Sequence, residues 1–157
     1  MRISVVIPTY NSSEFIERAL NSVFSQSELP NEIIISDDGS VDSTVKKVRD
    51  IIKTYRLEKI CKIISNSHSG PGAARNKGIL AASKDWIAFL DSDDFWHVDK
   101  IKEVKKQCSS DSKINFICHN EILINYRGKN FFSKYSIRYD SNKSLFDQLY
   151  ERNMIST

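Results

Sequence analysis

Cysteine is scarce in this sequence. The three present, Cys61, Cys108 and Cys118, lie far apart, and no CxxC pair joins any of them. That spacing speaks against a cysteine-based zinc module, and an odd count is a poor basis for a disulfide framework. Reduced, mostly buried thiols in a cytosolic protein are the expectation. Long apolar runs are also missing. No window reaches the ~20 residues that a membrane-spanning helix needs. The N-terminal apolar stretch ends at Pro8, too short for a signal peptide. A cytoplasmic location is therefore expected, with the inner face of a membrane as the second possibility, since a segment beyond the C-terminus could carry an anchor. Neither sign of charge dominates: 23 basic and 20 acidic residues leave a net +3. Such a balance does not point to nucleic acid as a partner.

Several motifs are absent too. Neither GxGxxG nor GxxxxGK[ST] occurs, which argues against a dinucleotide fold and a P-loop NTPase. GxSxG is absent, and His68, His97 and His119 form no HxxxH pair. Each histidine reads as a surface or satisfied residue. His97, just past an acidic cluster, is the one best placed for a metal or leaving-group contact.

What the chain does have is regular alternation. Ile3 to Ile7 is a continuous apolar run suited to a parallel strand buried on both faces, stopped by Pro8. Ser12 and Ser13 offer caps for a helix carrying Phe15, Ile16, Ala19, Leu20, Val23 and Phe24 at helical spacing. Three isoleucines in Glu32 to Ser36 mark a second strand. A helix from about Asp42 to Tyr55, a strand Ile60 to Ile64, a helix from about Ala73 to Ala82, a strand Trp86 to Leu90 and a helix Val98 to Cys108 follow. After residue 110 the pattern changes. Asn115 to Tyr126 and Phe131 to Tyr135 look like a hairpin around Arg127-Gly128-Lys129, and Leu145 to Tyr150 like a short helix.

This alternation predicts an α/β fold: a mainly parallel sheet with helices on both faces. Right-handed crossovers put the carboxyl ends of its strands on one edge, where ligands of open α/β sheets bind. The unusual polar clusters all fall there: Pro8 to Asn11, Asp37 to Ser40 and Asp91 to Asp94. In an extended segment Asp91 and Asp93 point to the same side. Unneutralised, they would raise each other's pKa. Magnesium or manganese relieves that cost, taking one or two carboxylates and completing its shell with water and phosphate oxygens. A solvated acidic turn is the plainer reading of the same residues. Asp37-Asp38-Gly39-Ser40 could accept a uracil imide N–H or ribose hydroxyls, or could simply form a turn and helix cap. Arg75, near a helix start, could bond a nucleotide or Asp93.

Taken in order, Val5-Val6-Ile7-Pro8-Thr9-Tyr10-Asn11, Asp37-Asp38-Gly39-Ser40-Val41-Asp42, Gly72-Ala73-Ala74-Arg75-Asn76-Lys77-Gly78 and Phe89-Leu90-Asp91-Ser92-Asp93-Asp94 resemble the signature of family 2 glycosyltransferases. They cover about the first 100 residues. The resemblance implies a GT-A (Rossmann-like) fold, with 1–157 as a single nucleotide-sugar-binding domain cut off before the acceptor and catalytic-base region. It also implies inverting transfer from a UDP-sugar to a hydroxyl of a glycan or lipid-linked acceptor, as in polysaccharide biosynthesis. Pro8, Thr9, Tyr10 and Asn11 resemble the positions around the base, with Tyr10 free to stack on it. Asp38 resembles the residue that reads uracil, with Asp37 beside it. Arg75 resembles the basic residue near the base and the metal motif. Asp91, Ser92 and Asp93 form the DxD element, with Asp93 as metal ligand and Asp91 nearer the ribose.

The family's general base usually lies in an acidic pair well downstream, and none follows here, so it is expected beyond residue 157. Glu121 is a weak substitute. A non-catalytic nucleotide-sugar-binding module is the alternative. A phospho-acceptor receiver domain also sets Asp clusters at strand ends, but the PTYN segment has no place in one.

Overall fold

Seven consecutive residues, Ile3–Thr9, form β1, and all seven are buried. The computed structural model describes residues 1–119 throughout, and beyond them the strands 121–124 and 130–133. After β1 come α1 (Ile16–Phe24), β2 (Glu32–Asp37), α2 (Thr44–Tyr55), β3 (Cys61–Ser65), α3 (Pro71–Ala81), β4 (Trp86–Phe89) and α4 (Lys100–Ser110). The chain divides into two compact units, Met1–Ser112 and Lys113–Thr157. Among the described residues no helix is long and apolar enough to cross a membrane.

In the first unit the strands pair in the order β3-β2-β1-β4. All three pairings are parallel, with Val5 beside both Ile33 and Ala88. The described part of this sheet is wholly parallel, as a mainly parallel fold requires. A strand buried on both faces has no polar alternation, which is why β1 and β2 read as unbroken Val/Ile runs. One face carries Ile3, Val5, Ile7, Ile33 and Ile35. They cluster with Ala19, Leu20 and Val23 of α1, Val48 and Ile52 of α2, and Ile101 of α4. The other face is closed by α3. Its Gly78 lies so close to β1 that an added Cβ would overlap the Val6 side chain. Helices thus cover both faces, as the alternation implies.

β1 to β2 and β2 to β3 step one way across the sheet, whereas the chain then returns through α3 to place β4 on the other side of β1. With right-handed crossovers, that reversal puts α3 on the face opposite α1 and α2. It also opens a crevice at the carboxyl ends of β1 and β4, the topological switch point.

Local expectations need correcting. Pro8 does not stop β1, which runs to Thr9. The ladder to β4 ends at Val6, so the missing N–H of Pro8 costs no bond there. α1 lacks a serine side-chain cap. The main-chain carbonyl of Ser12 takes the Phe15 and Ile16 N–H groups instead. α3 starts at Pro71, two residues early, because Pro suits a first helical position. The thiols are not mostly buried: Cys61 and Cys108 are half-buried and Cys118 is exposed. Cys61 sits on β3, the outer strand of the described sheet. Burial, and then the charge of Glu58, push that thiol up to about 12.

In the second unit, β5 (Glu121–Ile124) and β6 (Asn130–Ser133) pair antiparallel, Glu121 opposite Ser133. Residues 115–119, expected as the start of the first of these strands, are not in strand. The expected turn at 127–129 and helix at 145–150 lie outside the described residues.

Candidate nucleotide-sugar site

Four loops meet at the crevice. The first leaves β1, and Asn11 there takes a left-handed conformation (φ 45°), one that Asn tolerates better than most residues. Asn11 clasps the loop after β2: its N–H donates to Ser40 Oγ (2.9 Å) and its Oδ1 accepts from Val41 N–H (2.9 Å). Ser12 is buried. Its N–H donates to Thr44 Oγ1 (2.8 Å) and its hydroxyl meets that of Ser92 at 2.8 Å.

The second loop holds the Asp pair, and its two members do different things. Asp37 faces inward. Thr9 Oγ donates to its Oδ1 (3.2 Å), the Ser40 hydroxyl donates to the same oxygen, and the Ser40 N–H donates to Oδ2 (3.1 Å). Asp37 therefore fastens the loops and does not line the cavity. Asp38 does line it, at 2% exposure. Its carboxylate accepts the N–H groups of Ser69 (3.0 Å) and Gly70 (2.8 Å), and His68 Nδ1 lies 2.9 Å from Oδ2. Burial alone would push this carboxyl up. The two N–H groups and then His68 outweigh it and hold Asp38 below the usual carboxylate range.

Gly39, at φ 82°, makes this packing possible. A Cβ there would lie 3.2 Å from Asn66 O and from His68 N, crowding the third loop away from Asp38.

The fourth loop, after β4, is a turn and not the extended segment expected. Asp94 N–H donates to the Asp91 carbonyl at 3.1 Å, so Asp91 and Asp93 do not alternate along a strand. Asp91 turns to Arg75 on α3, whose Nη2 lies 2.6 Å from Oδ1. Arg75 therefore pairs with Asp91, not with Asp93. Its Nε is buried and without a partner among the described residues. Asp93 is exposed at the rim, and its main-chain carbonyl accepts from Arg18 Nη2 (2.7 Å). That contact leaves the carboxylate unused. Arg18 in turn lies over the Phe95 ring, 4.7 Å from its centre.

Together these loops enclose a cavity of about 420 Å³. Of the residues singled out from sequence, Pro8, Thr9, Tyr10, Asn11, Asp38, Arg75, Asp91, Ser92 and Asp93 line it, and Asp37 does not. Sequence reasoning missed Ser12, Phe15, His68, Pro71 and Ala74 as lining residues. The histidine that reaches the cavity is His68, not His97. The His97 side chain is 81% exposed, and its nearest ion-pair contact is Asp99 at 4.0 Å. His68 stands two residues before Gly70, and that closeness to the glycine-bearing helix start was the available signal.

The sequence matches the profile described as glycosyl transferase family 2 over residues 4–152. The chain belongs to this family. Among curated members, it is 35% identical over 125 residues to an uncharacterised glycosyltransferase of Nostoc sp., covering 78% of this chain and 38% of that one. It is 41% identical over 103 residues to the putative teichuronic acid biosynthesis glycosyltransferase TuaG of Bacillus subtilis, covering 64% and 39%. Among solved structures, S. aureus TarS 1–349 in complex with UDP-GlcNAc superposes with a TM-score of 0.62 at 29% identity, covering 79% of this chain and 34% of that one. The sheet and its helices are thus those of a GT-A glycosyltransferase. This family 2 chain spans 38%, 22% and 45% of the lengths of three such relatives.

The residues also bear on a metal. Among the described residues, no three His, Cys, Asp or Glu side chains converge as a closed metal cage. Magnesium and manganese seldom require one: one or two carboxylates suffice when phosphate oxygens and water complete the shell. Asp93, with Asp91 beside it, fits that pattern in this family 2 site. Asp91 is already partly neutralised by Arg75, which makes Asp93 the stronger candidate.

Proposed function

We propose that the first unit binds the nucleoside diphosphate of a UDP-sugar, for inverting transfer of the sugar to an acceptor hydroxyl in polysaccharide biosynthesis. The observation that carries this reading is the single crevice holding Tyr10, Asp38, Arg75, Asp91 and Asp93 at the β1/β4 switch point.

One end of the crevice suits a base. Tyr10 is 45% exposed and offers a ring face. Asp38, kept ionised by its N–H partners, is an acceptor for the uracil imide N–H. A cytosine, with a bare ring nitrogen at that position, would set acceptor against acceptor. The other end suits a diphosphate. Pro71 and Ala74 bring the first turn of α3 to the wall, and a helix N-terminus favours anions. Arg75 adds a fixed cation, and its unpartnered Nε is a donor still to be satisfied.

Magnesium or manganese would be held by Asp93, with Asp91 alongside, and would neutralise charge developing on the leaving diphosphate. Attack by an acceptor hydroxyl also needs a base. Asp38 and Asp91 are engaged and Asp93 faces the diphosphate, so we assign that base outside this cavity. UDP-GlcNAc, the ligand of TarS, is the first donor to try, with a glycan or a lipid-linked glycan as acceptor.

Calorimetry of UDP binding with and without manganese tests the reading. Tight binding that needs the metal, prefers UDP over CDP and disappears in Asp93→Ala is the expected result. Metal-independent affinity, or unchanged affinity in Asp93→Ala, overturns the metal assignment. UDP binding without release of UDP from any donor and acceptor pair would favour the non-catalytic module.

A further inference from the structure

We infer that His68 and the donor's base compete for one place, so that this side chain sets nucleotide affinity as an internal competitor; this rests on the base site proposed above. The imidazole lies flat on Tyr10, with ring centroids 4.1 Å apart and planes 22° from parallel. Its Nδ1 is 2.9 Å from Asp38 Oδ2. A uracil in this crevice would take up the same two positions, flat on Tyr10 and against the Asp38 carboxylate, while His68 Nδ1 also lies 3.2 Å from the Asp38 main-chain carbonyl. Uracil and imidazole are both flat heteroaromatic rings with a ring N–H, and one side chain already fills both positions.

The two occupants exclude each other on this face of Tyr10. A base between the rings would need two contact spacings of roughly 3.5 Å each, or about 7 Å in all. The centroid distance leaves space for none.

His68 is also built to leave. Its side chain is 57% exposed, so rotating it outward disrupts no core. Asp38 does not become stranded when it goes, because the Ser69 and Gly70 N–H groups still hold the carboxylate. Apparent affinity then equals intrinsic affinity multiplied by the fraction of molecules with the slot open. A slot closed about 90% of the time weakens binding roughly tenfold.

The test is calorimetry of UDP with manganese on the wild-type protein and on His68→Ala, together with NMR of the His68 ring protons. Tighter UDP binding by His68→Ala is expected. So is movement of the wild-type ring protons from stacked toward solvent-like shifts as UDP is added. Equal or weaker binding by His68→Ala, with the wild type binding normally, overturns the inference and leaves the base site standing. Ring protons that stay at their stacked shifts in the UDP complex overturn it too, and place the base on the other face of Tyr10. If neither protein binds UDP, the proposed function falls along with the inference.

Discussion

Replacing Gly78 with alanine probes the closest approach in the fold. Elsewhere in a helix this change is favourable by up to about 1 kcal/mol, since glycine is the poorer helix former. Here the new methyl lands on Val6, which is 0% exposed at the centre of the sheet. Valine has a stiff χ1 and nowhere to turn. Either α3 lifts from the sheet or the strand shifts, and overpacking of this kind costs about 1–3 kcal/mol. The net effect is a loss of about 0–2 kcal/mol when a propensity gain of about 1 kcal/mol is subtracted, and about 1–3 kcal/mol relative to a change that keeps that gain. Urea denaturation should show it as a lower midpoint at constant slope. Arg75 lies one turn earlier on α3, so lifting the helix also draws its guanidinium from Asp91 and weakens UDP binding. Val6→Ala in the Gly78→Ala background removes the obstructing methyls and should restore the affinity. Gly72→Ala is the control, because a Cβ there meets nothing within 4 Å. A Gly78→Ala protein as stable as Gly72→Ala would refute the reasoning.

Other expectations concern the supports of the site. Gln26 is buried at 7% exposure; its amide donates to the carbonyls of Ser22 (2.9 Å) and His97 (2.7 Å) and accepts from Ile101 N–H (2.9 Å) at the start of α4. Gln26→Ala leaves a buried N–H unanswered and should cost about 2–3 kcal/mol in denaturant titration. Gln26→Glu should not rescue it, because a carboxylate would face the His97 carbonyl. Asp42 accepts from Thr44 N–H (2.9 Å) and Ser13 N–H (3.2 Å). Burial opposes these bonds, but they prevail, led by the Thr44 hydroxyl, and draw its pKa from 3.8 to about 2. A depressed folded pKa contributes stability above the unfolded value, so this share is full above about pH 4 and lost as pH falls toward 2. Asp42→Asn should flatten that limb of the stability–pH curve; an unchanged slope would rule the contribution out.

The sheet was legible because buried parallel strands leave a blunt trace. Val5-Val6-Ile7 and Ile33-Ile34-Ile35 have no polar partner position, although both strands run two residues past the apolar run, to Thr9 and Asp37. The location of the site was legible for a related reason, since crossover handedness fixes which strand ends share an edge. Its wiring was not. Asp91 and Asp93 differ by two positions in sequence, yet a turn closed by Asp94 sends one to Arg75 and the other to the rim. Ser12 and Ser13 have the composition of helix caps, but the Ser12 hydroxyl is taken by Ser92, eighty residues away. Asp37 and Asp38 look alike on paper, and only the positions of Thr9, Ser40, Ser69 and Gly70 distinguish fastener from wall. Partner choice of this kind is a tertiary property and has no local signature.

The clasp of Asn11 on Ser40 and Val41, and of Asp37 on Thr9 and Ser40, determines when disorder is lost. Fixing one loop residue costs about 1–2 kcal/mol in chain entropy. Here the rim residues are already tied by the time the chain has folded, so that loss belongs to folding and not to ligand capture. An incoming molecule meets loops that are already tied, so little of its contact energy is spent on ordering this part of the rim.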